Sequence, residues 1–459
     1  MSTDGSISRR QLLILSGLAA AHAPQALAAP RGTVAEADLR GSFQAAQFAV
    51  TPKAEDMGSA KFRAILARAA SENKPVFLPP GTYPISGLDL PDNTRLTGVA
   101  GASRLVYTGD GSMLRAEGLR RLELSNIIID GANRWLSDQT GSLVDVRDVD
   151  EFILDNCEII GSSKTALHLE RCAARITGNR LSGAADYAIY AVDGRDTLIA
   201  DNEIGTCGNG GILVHRFTKG ADGTKLTGNR LTSIGARNGG TGPFGNAINL
   251  FRADDVMVAD NFIRGAAFSA IRANAASNTM IANNQCLGSG ETAIYAEFGF
   301  EGALVTGNLV DGAANGISVV NFDSGGRLAT IANNIVRNIS DKGPYVHDNV
   351  GFGFGISVEA DAAVSGNVME NIARFGILAG WGPYLRNLAV TGNVVRRAAT
   401  GMAVSVAPDA GAAVIANNLF AETPKGAIIG YRWHDAASGD LVDGSSDYPH
   451  LMLSGNRRS

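Results

Sequence analysis

The sequence is short of charge, proline, cysteine and aromatic rings. Charged residues make up 19% of its 459 positions and aromatic ones 6%, with 14 prolines and 4 cysteines. So little Glu, Lys and Leu excludes a coiled coil, and an apolar share of 45% excludes a disordered chain. Lys+Arg total 40 against Asp+Glu 45, a net charge of −5, and no basic run stands out, so no nucleic-acid partner is expected. The cysteines (Cys157, Cys172, Cys207 and Cys286) show no CxxC spacing. Structural zinc is therefore not expected, and they read mostly as buried thiols. No apolar run reaches the ~20 residues needed to cross a bilayer, which argues against stable membrane insertion. Glycine, in contrast, is abundant: 56 residues, without the strict period of collagen.

The first residues read as an address. Ser8-Arg9-Arg10-Gln11-Leu12-Leu13 opens an apolar stretch from Leu12 to Ala23, which ends in Ala26-Leu27-Ala28. A positive start, a short apolar core and a small-residue cleavage site are the parts of an export signal, and the arginine pair resembles the twin-arginine (Tat) type. Residues 1–28 are expected to engage the Tat translocase and be removed, placing the rest in the periplasm or outside the cell. The mature chain then nets 38 − 44 = −6, since Arg9, Arg10 and Asp4 leave with the signal.

From about residue 120 one phrase recurs. Ile176-Thr177-Gly178-Asn179 returns as Ile199-Ala200-Asp201-Asn202 and Leu226-Thr227-Gly228-Asn229, then at Asn261, Asn284, Asn308, Asn334, Asn367, Asn393, Asn418 and Asn456. Spacings from Asn179 to Asn418 run from 23 to 33 residues. Between the copies stands a second phrase, small-Ile-x-apolar, as in Ala188-Ile189-Tyr190-Ala191 and Ala270-Ile271-Arg272-Ala273. Such a period signals a repeat architecture. Each phrase alternates apolar with polar over three to five residues, the mark of a short strand with one face buried. Two or three short strands in each unit fit a coil that climbs about 4.8 Å per turn, each strand pairing in parallel with its copy one turn on. The repeated amides, donors and acceptors at once, are expected to form an interior ladder, with Cys157 at one rung.

Residues 56–70 show helical periodicity, with Phe62, Ile65, Leu66 and Ala69 on one face, and serve as a cap over the first coil. Val76-Phe77-Leu78-Pro79-Pro80-Gly81-Thr82-Tyr83-Pro84-Ile85 follows as strand, tight turn and strand. The helix and this segment resemble the pectate-lyase-like superfamily of right-handed parallel β-helices, over about residues 36–459. With the arginine pair, the chain is similar to a family of Tat-exported β-helix repeat proteins, which supplies no established reaction. The expected organisation is a signal at 1–28, a cap and first coils at 29–110 and repeats over 111–459. The expected fold is all-β, a single-stranded right-handed parallel β-helix with an N-terminal capping helix.

Function must then lie on the outside. With the Ile of the second phrase as zero, positions +1 and +3 face outward on one sheet. The +1 column reads Asp145, His168, Tyr190, Leu213, Asn249, Arg272, Tyr295, Ser318, Ser357, Leu378. The +3 column reads Arg147, Glu170, Val192, His215, Phe251, Asn274, Glu297, Val320, Glu359, Gly380. Rings stack on sugars, while amides and guanidinium groups bind hydroxyls and carboxylates, so a polysaccharide partner is expected. Two insertions, 232–246 and 339–354, precede strands of this face and should rise beside it; the second carries Tyr345, His347 and Asp348.

On an acidic polysaccharide, β-elimination or epimerisation needs a base for the C5 proton, a cation for the carboxylate and an acid for the departing oxygen. Arg272 is the candidate cation, with Tyr295, His215 or Tyr190 as acid or base and Glu297 beside them. Asp186, Tyr187, Asn249, Arg252, Asn274, Glu359, Tyr345, His347 and Trp381 are candidate substrate-binding residues. Trp381 and Tyr384 form a stacking platform or pack a turn, and His168, in an early coil, reads as a surface residue. An inverting hydrolase, with Glu297 and Glu359 two coils apart, is a further alternative. So is a glycan-binding or envelope protein without catalysis.

Polygalacturonase-like motifs are absent: the corresponding stretches are Asp186-Tyr187-Ala188, Asn209-Gly210-Gly211, Gly245-Asn246-Ala247 and Glu291-Thr292-Ala293. The Asp-Pro-His-Glu motif of mannuronan epimerases is missing too. Asp254-Asp255, the one paired Asp, falls in a turn, and neither a metal nor a cofactor is expected.

Overall fold

The computed structural model describes residues 41–45, 58–240, 242–346, 351–444 and 447–459. The export segment, His347 and Asp348 lie outside them.

Glycine, aspartate and asparagine stand where the chain must turn. The residue before each ladder asparagine is left-handed: Gly178 (φ 65°), Asp201 (55°), Gly228 (67°), Asp260 (58°) and Asn283 (56°). Gly pays no Cβ penalty there, and Asn and Asp tolerate the conformation best among the others. That explains why the phrase varies between Thr-Gly-Asn, Ala-Asp-Asn and Ala-Asn-Asn without losing its shape.

Each turn feeds a buried amide. Asn284 Nδ2 donates to Asn308 Oδ1 (3.0 Å) and to Val258 O (2.9 Å), while its Oδ1 accepts from Asn261 Nδ2 (2.9 Å) and Asn261 N (3.0 Å). The same exchange starts at Asn179, which bonds Asn202 (3.0 Å), and ends at Asn418, which bonds Asn456 (2.9 Å). Cys157 takes the rung below, its N–H donating to Asn179 Oδ1 at 2.8 Å. All four cysteines are buried and unpaired.

The resulting coils form an all-β right-handed parallel solenoid of about 13 turns. Neighbouring coils pair in parallel and in register: Ile189 lies against Ile212, Ile212 against Ile248, Ile248 against Ile271 and Ile271 against Ile294. All five isoleucines have no exposure, so the stack is filled by like residues on like. A helix, Gly58–Ser71, closes the first coil and buries Phe62, Ile65, Leu66 and Ala69. The hairpin of Ile428–Arg432 and Asp435–Asp440 is antiparallel and lies in the last coils.

Register decides which side chains become neighbours. His168 pairs with Asp145 before it and Tyr190 after it. Tyr190 pairs with Leu213, Leu213 with Asn249, Asn249 with Arg272, and Arg272 with Tyr295. Tyr190, Arg272 and Tyr295 are only partly buried, whereas the residues flanking each are fully buried. These three therefore share one outer face.

Candidate functional site

Five strands carry the middle of this face: Thr165–Glu170, Tyr187–Val192, Gly210–Ala221, Asn246–Asp254 and Ile271–Asn274. At one coil per step their side chains stack into a row of rings. His168 and Tyr190 have centroids 5.5 Å apart, Tyr190 and His215 5.2 Å, and His215 and Phe251 5.6 Å. Tyr187 lies 5.8 Å from Tyr190. The insertion 232–246 rises beside the row as its position implied, setting Phe244 on Tyr187 at 6.4 Å and 12°.

Burial sets the chemistry of the row. It raises the Tyr187 and Tyr190 hydroxyls above their ordinary range and lowers His215 to about 4. His215 is thus neutral at neutral pH, with Nε2 2.7 Å from Asn249 Oδ1. With that amide as acceptor, Nε2 carries the proton. Asn249 is itself buried and spends its carbonyl on this bond, so it supports His215 from beneath.

At the N-terminal end of the face the row meets an Asp–His pair. His168 Nδ1 lies 2.8 Å from Asp145 Oδ1, and Asp145 also accepts from Arg147 Nε at 3.0 Å. Burial alone would raise the Asp145 carboxyl, but bonding to His168 and Arg147 outweighs it and holds the group below its ordinary range. His168 and Asp145 side chains are each 15% exposed, so His168 stands on the outer face, partly buried by its neighbours. On the cap side of Asp145 opens a polar cavity of about 690 Å³, lined by Arg63, Asp89, Arg115, Glu117, Asp145 and Arg147 among others.

Toward the C-terminus the face closes over. Arg272 Nε bonds Glu297 Oε1 at 2.6 Å, and its Nη1 lies 3.7 Å from Glu291 Oε2. Asn274 donates to the same Glu297 oxygen (2.9 Å), and the guanidinium stands 5.3 Å from the centre of the Tyr295 ring. Side-chain exposure is 11% at Arg272, 3% at Glu297 and 5% at Glu291. Tyr345, from the second insertion, covers the group, donating its hydroxyl to Glu291 (2.6 Å) and stacking on Phe268 at 6.2 Å. Arg272, expected to be free for a substrate carboxylate, thus faces two carboxylates of its own chain. Burial raises Tyr295 and Glu291 above their ordinary values, with Arg272 opposing the shift in both.

The remaining candidates scatter. Asp186 accepts from Asn209 Nδ2 (2.8 Å) at the strand's leading edge. Arg252 lies over Phe251 and donates to Phe217 O at the trailing edge. Trp381 packs edge-on against Trp433 (5.6 Å) and His434 (4.8 Å), in coils far from the ring row. Glu359 accepts from Phe322 N (2.7 Å) in a turn, and burial raises its carboxyl to about 7.

Glu359 gives a pH prediction. A carboxyl raised from 4.5 to about 7 favours the fold while protonated, fully so below about 4.5, and loses that contribution as pH rises through about 7. Glu359→Gln should therefore be more resistant to urea than the parent at pH 8, with the gap closing by pH 4. An unchanged gap across that range would contradict the assignment.

Two participants were missed from sequence, Glu291 and Phe244, because both lie before the strand where outward alternation does not apply. Asp145 beneath His168 was legible, since the two share a column one coil apart. Among the described residues no group of three or more His, Cys, Asp or Glu is placed to hold a metal ion, and no helix is long and apolar enough to cross a membrane.

A family model described as "Right handed beta helix region" matches residues 119–237 and 217–395. Among solved structures, the N-terminal fragment of bacteriophage phi29 gene product 12 is similar at 15% identity and TM-score 0.53, covering 84% of this chain and 68% of that one. The catalytic unit of a GH87 α-1,3-glucanase from Streptomyces thermodiastaticus matches at 16% and 0.51, covering 94% and 70%. The Dettilon tailspike protein matches at 16% and 0.50, covering 86% and 69%. At such identities the likeness is one of fold. A search of curated proteins finds no match.

Proposed function

The chain belongs to the right-handed β-helix family, and from that premise we propose that it is a polysaccharide-active protein that lays its substrate along the outer face from Asp145 to Tyr295. The observation that carries this reading is the contiguous row of rings: His168, Tyr190, His215 and Phe251 follow one another from coil to coil at centroid separations of 5.2–5.6 Å, and Tyr187 and Phe244 extend the row sideways at Tyr190. A row of half-buried rings flanked by guanidinium and carboxylate groups suits successive sugar units, whose apolar faces stack while their hydroxyls find polar partners. The glucanase neighbour agrees with this reading at the level of fold.

We read the reaction as lyase or epimerase chemistry on an acidic polysaccharide. Open arginines at the N-terminal end (Arg115 and Arg147, side chains 59% and 42% exposed) offer carboxylate partners that the sealed Arg272 does not. Arg272 holds Glu297 closely and Glu291 loosely, so we assign Arg272, Glu297 and Tyr295 to shaping the far end of the groove, with Asn274 and Tyr345. Tyr190 remains a candidate acid, while His215, buried and bonded to Asn249, belongs to the sugar track. Export by the twin-arginine route, which would place the protein with extracellular glycans, is part of the same proposal.

The test is incubation of the purified protein with a panel of acidic and neutral polysaccharides. Absorbance of an unsaturated uronate identifies a lyase, and an altered uronate configuration by NMR an epimerase. New reducing ends without unsaturation identify a hydrolase. Binding without any of these leaves a passive glycan-binding protein, and neither binding nor turnover on any polymer defeats the reading.

A further inference from the structure

We propose that His168, oriented by Asp145, is the base that removes the C5 proton of a uronate unit seated at the N-terminal end of the groove, an assignment that rests on the polysaccharide reading above. Three observations meet here. Asp145 Oδ1 lies 2.8 Å from His168 Nδ1, so a carboxylate acceptor fixes the proton on Nδ1 and leaves Nε2 as the unprotonated nitrogen. Tyr190, the next residue in the column, brings a hydroxyl-bearing ring to 5.5 Å from the imidazole. On the cap side of the pair, Asp145 itself lines, with Arg115 and Arg147, the cavity of about 690 Å³.

The charged groups around the dyad fit this assignment. Arg147 is bound to Asp145 (3.0 Å) and approaches Glu170 at 3.5 Å, which holds Asp145 ionised. Arg115 pairs in register with Asp145, one coil nearer the cap, and among the described residues its ion-pair partner is Glu117 at 3.5 Å. It is the cation best placed to meet a substrate carboxylate, because exchanging so exposed a pair costs little.

The step balances without a co-reactant. His168 Nε2 takes the C5 proton, and the electron pair it leaves forms the C4=C5 bond as the C4–O bond breaks. Tyr190 gives its hydroxyl proton to the departing oxygen, and the imidazolium then reprotonates the tyrosinate. If the C4–O bond holds, Tyr190 instead gives its hydroxyl proton to C5 on the opposite face, the imidazolium reprotonates the tyrosinate, and the unit is epimerised. Both outcomes use one base, and Asp145 acts as a positioning residue.

The experiment uses the full-length protein with polygalacturonate, alginate and glucuronoxylan as probes, following unsaturated product and deuterium entering C5 from D2O. His168→Gln should lower kcat by about 100-fold or more with KM within about twofold. Asp145→Asn should lower kcat and alter the acid limb of the pH profile, with partial recovery in Asp145→Glu. Nitrogen-15 NMR of the unliganded protein should find a proton on His168 Nδ1. A His168→Gln protein of wild-type turnover, or a proton on Nε2, overturns the dyad and leaves the groove intact. So does a wild-type protein that binds these polymers without turning over any. Failure to bind any polysaccharide defeats the groove reading itself.

Discussion

Arg272→Ala should destabilise the protein by about 3–5 kcal/mol, the cost of leaving buried carboxylates without their cation. Glu297 and Glu291 have 3% and 5% side-chain exposure, and Arg272 is the cation that meets both. The loss should appear as a lower urea midpoint and as faster amide exchange in strands Ile271–Asn274 and Thr292–Glu297. Tyr345, which bonds Glu291, should lose its contact with Phe268. Adding Glu291→Gln and Glu297→Gln to Arg272→Met should recover most of the stability, because charge and counter-charge then leave together. An Arg272→Ala protein with an unchanged midpoint would show that the cluster is solvated in solution and open to ligands.

The second large effect lies in the ladder. Asn284→Ala removes an amide that gives two hydrogen bonds and accepts two, all between buried groups. Asn261 N and Val258 O are left without these partners, and at about 1–3 kcal/mol for each unpaired group the loss is about 2–6 kcal/mol. Asn284→Asp should also destabilise, since a carboxylate cannot donate to Val258 O. Because each coil touches only its neighbours, exchange should rise most in the coils of Asn261, Asn284 and Asn308. Protection spread evenly along the solenoid would argue against a ladder held rung by rung.

The ladder also explains why so much of the fold was legible. One asparagine in each coil, preceded by a left-handed residue, fixes the phase of every turn, and strand alternation then settles the inside and outside of each side chain. The outer columns, from Asp145 through Tyr295, follow from that phase alone. What alternation does not tell is what stands above an outward side chain. Asn249 and Glu297 were read as open to a ligand and are 3% and 2% exposed, because His215 spends the first and Arg272 the second. Tyr345 lies 54 residues from the Glu291 it bonds, a pairing set by how an insertion drapes, which no periodicity encodes. The pairing of His168 with Asp145, in contrast, follows from the column itself, since the two stand one coil apart in register.

The groove itself is tested most directly by affinity. For whichever polymer the wild-type protein binds, Tyr190→Ala and Tyr187→Ala should each weaken binding by about tenfold, the loss of one stacking ring. Trp381→Ala, far along the coil axis, should leave affinity unchanged, and melting temperatures should match across the set. Equal affinities for the wild-type, Tyr190→Ala and Tyr187→Ala proteins would contradict a sugar track on this face.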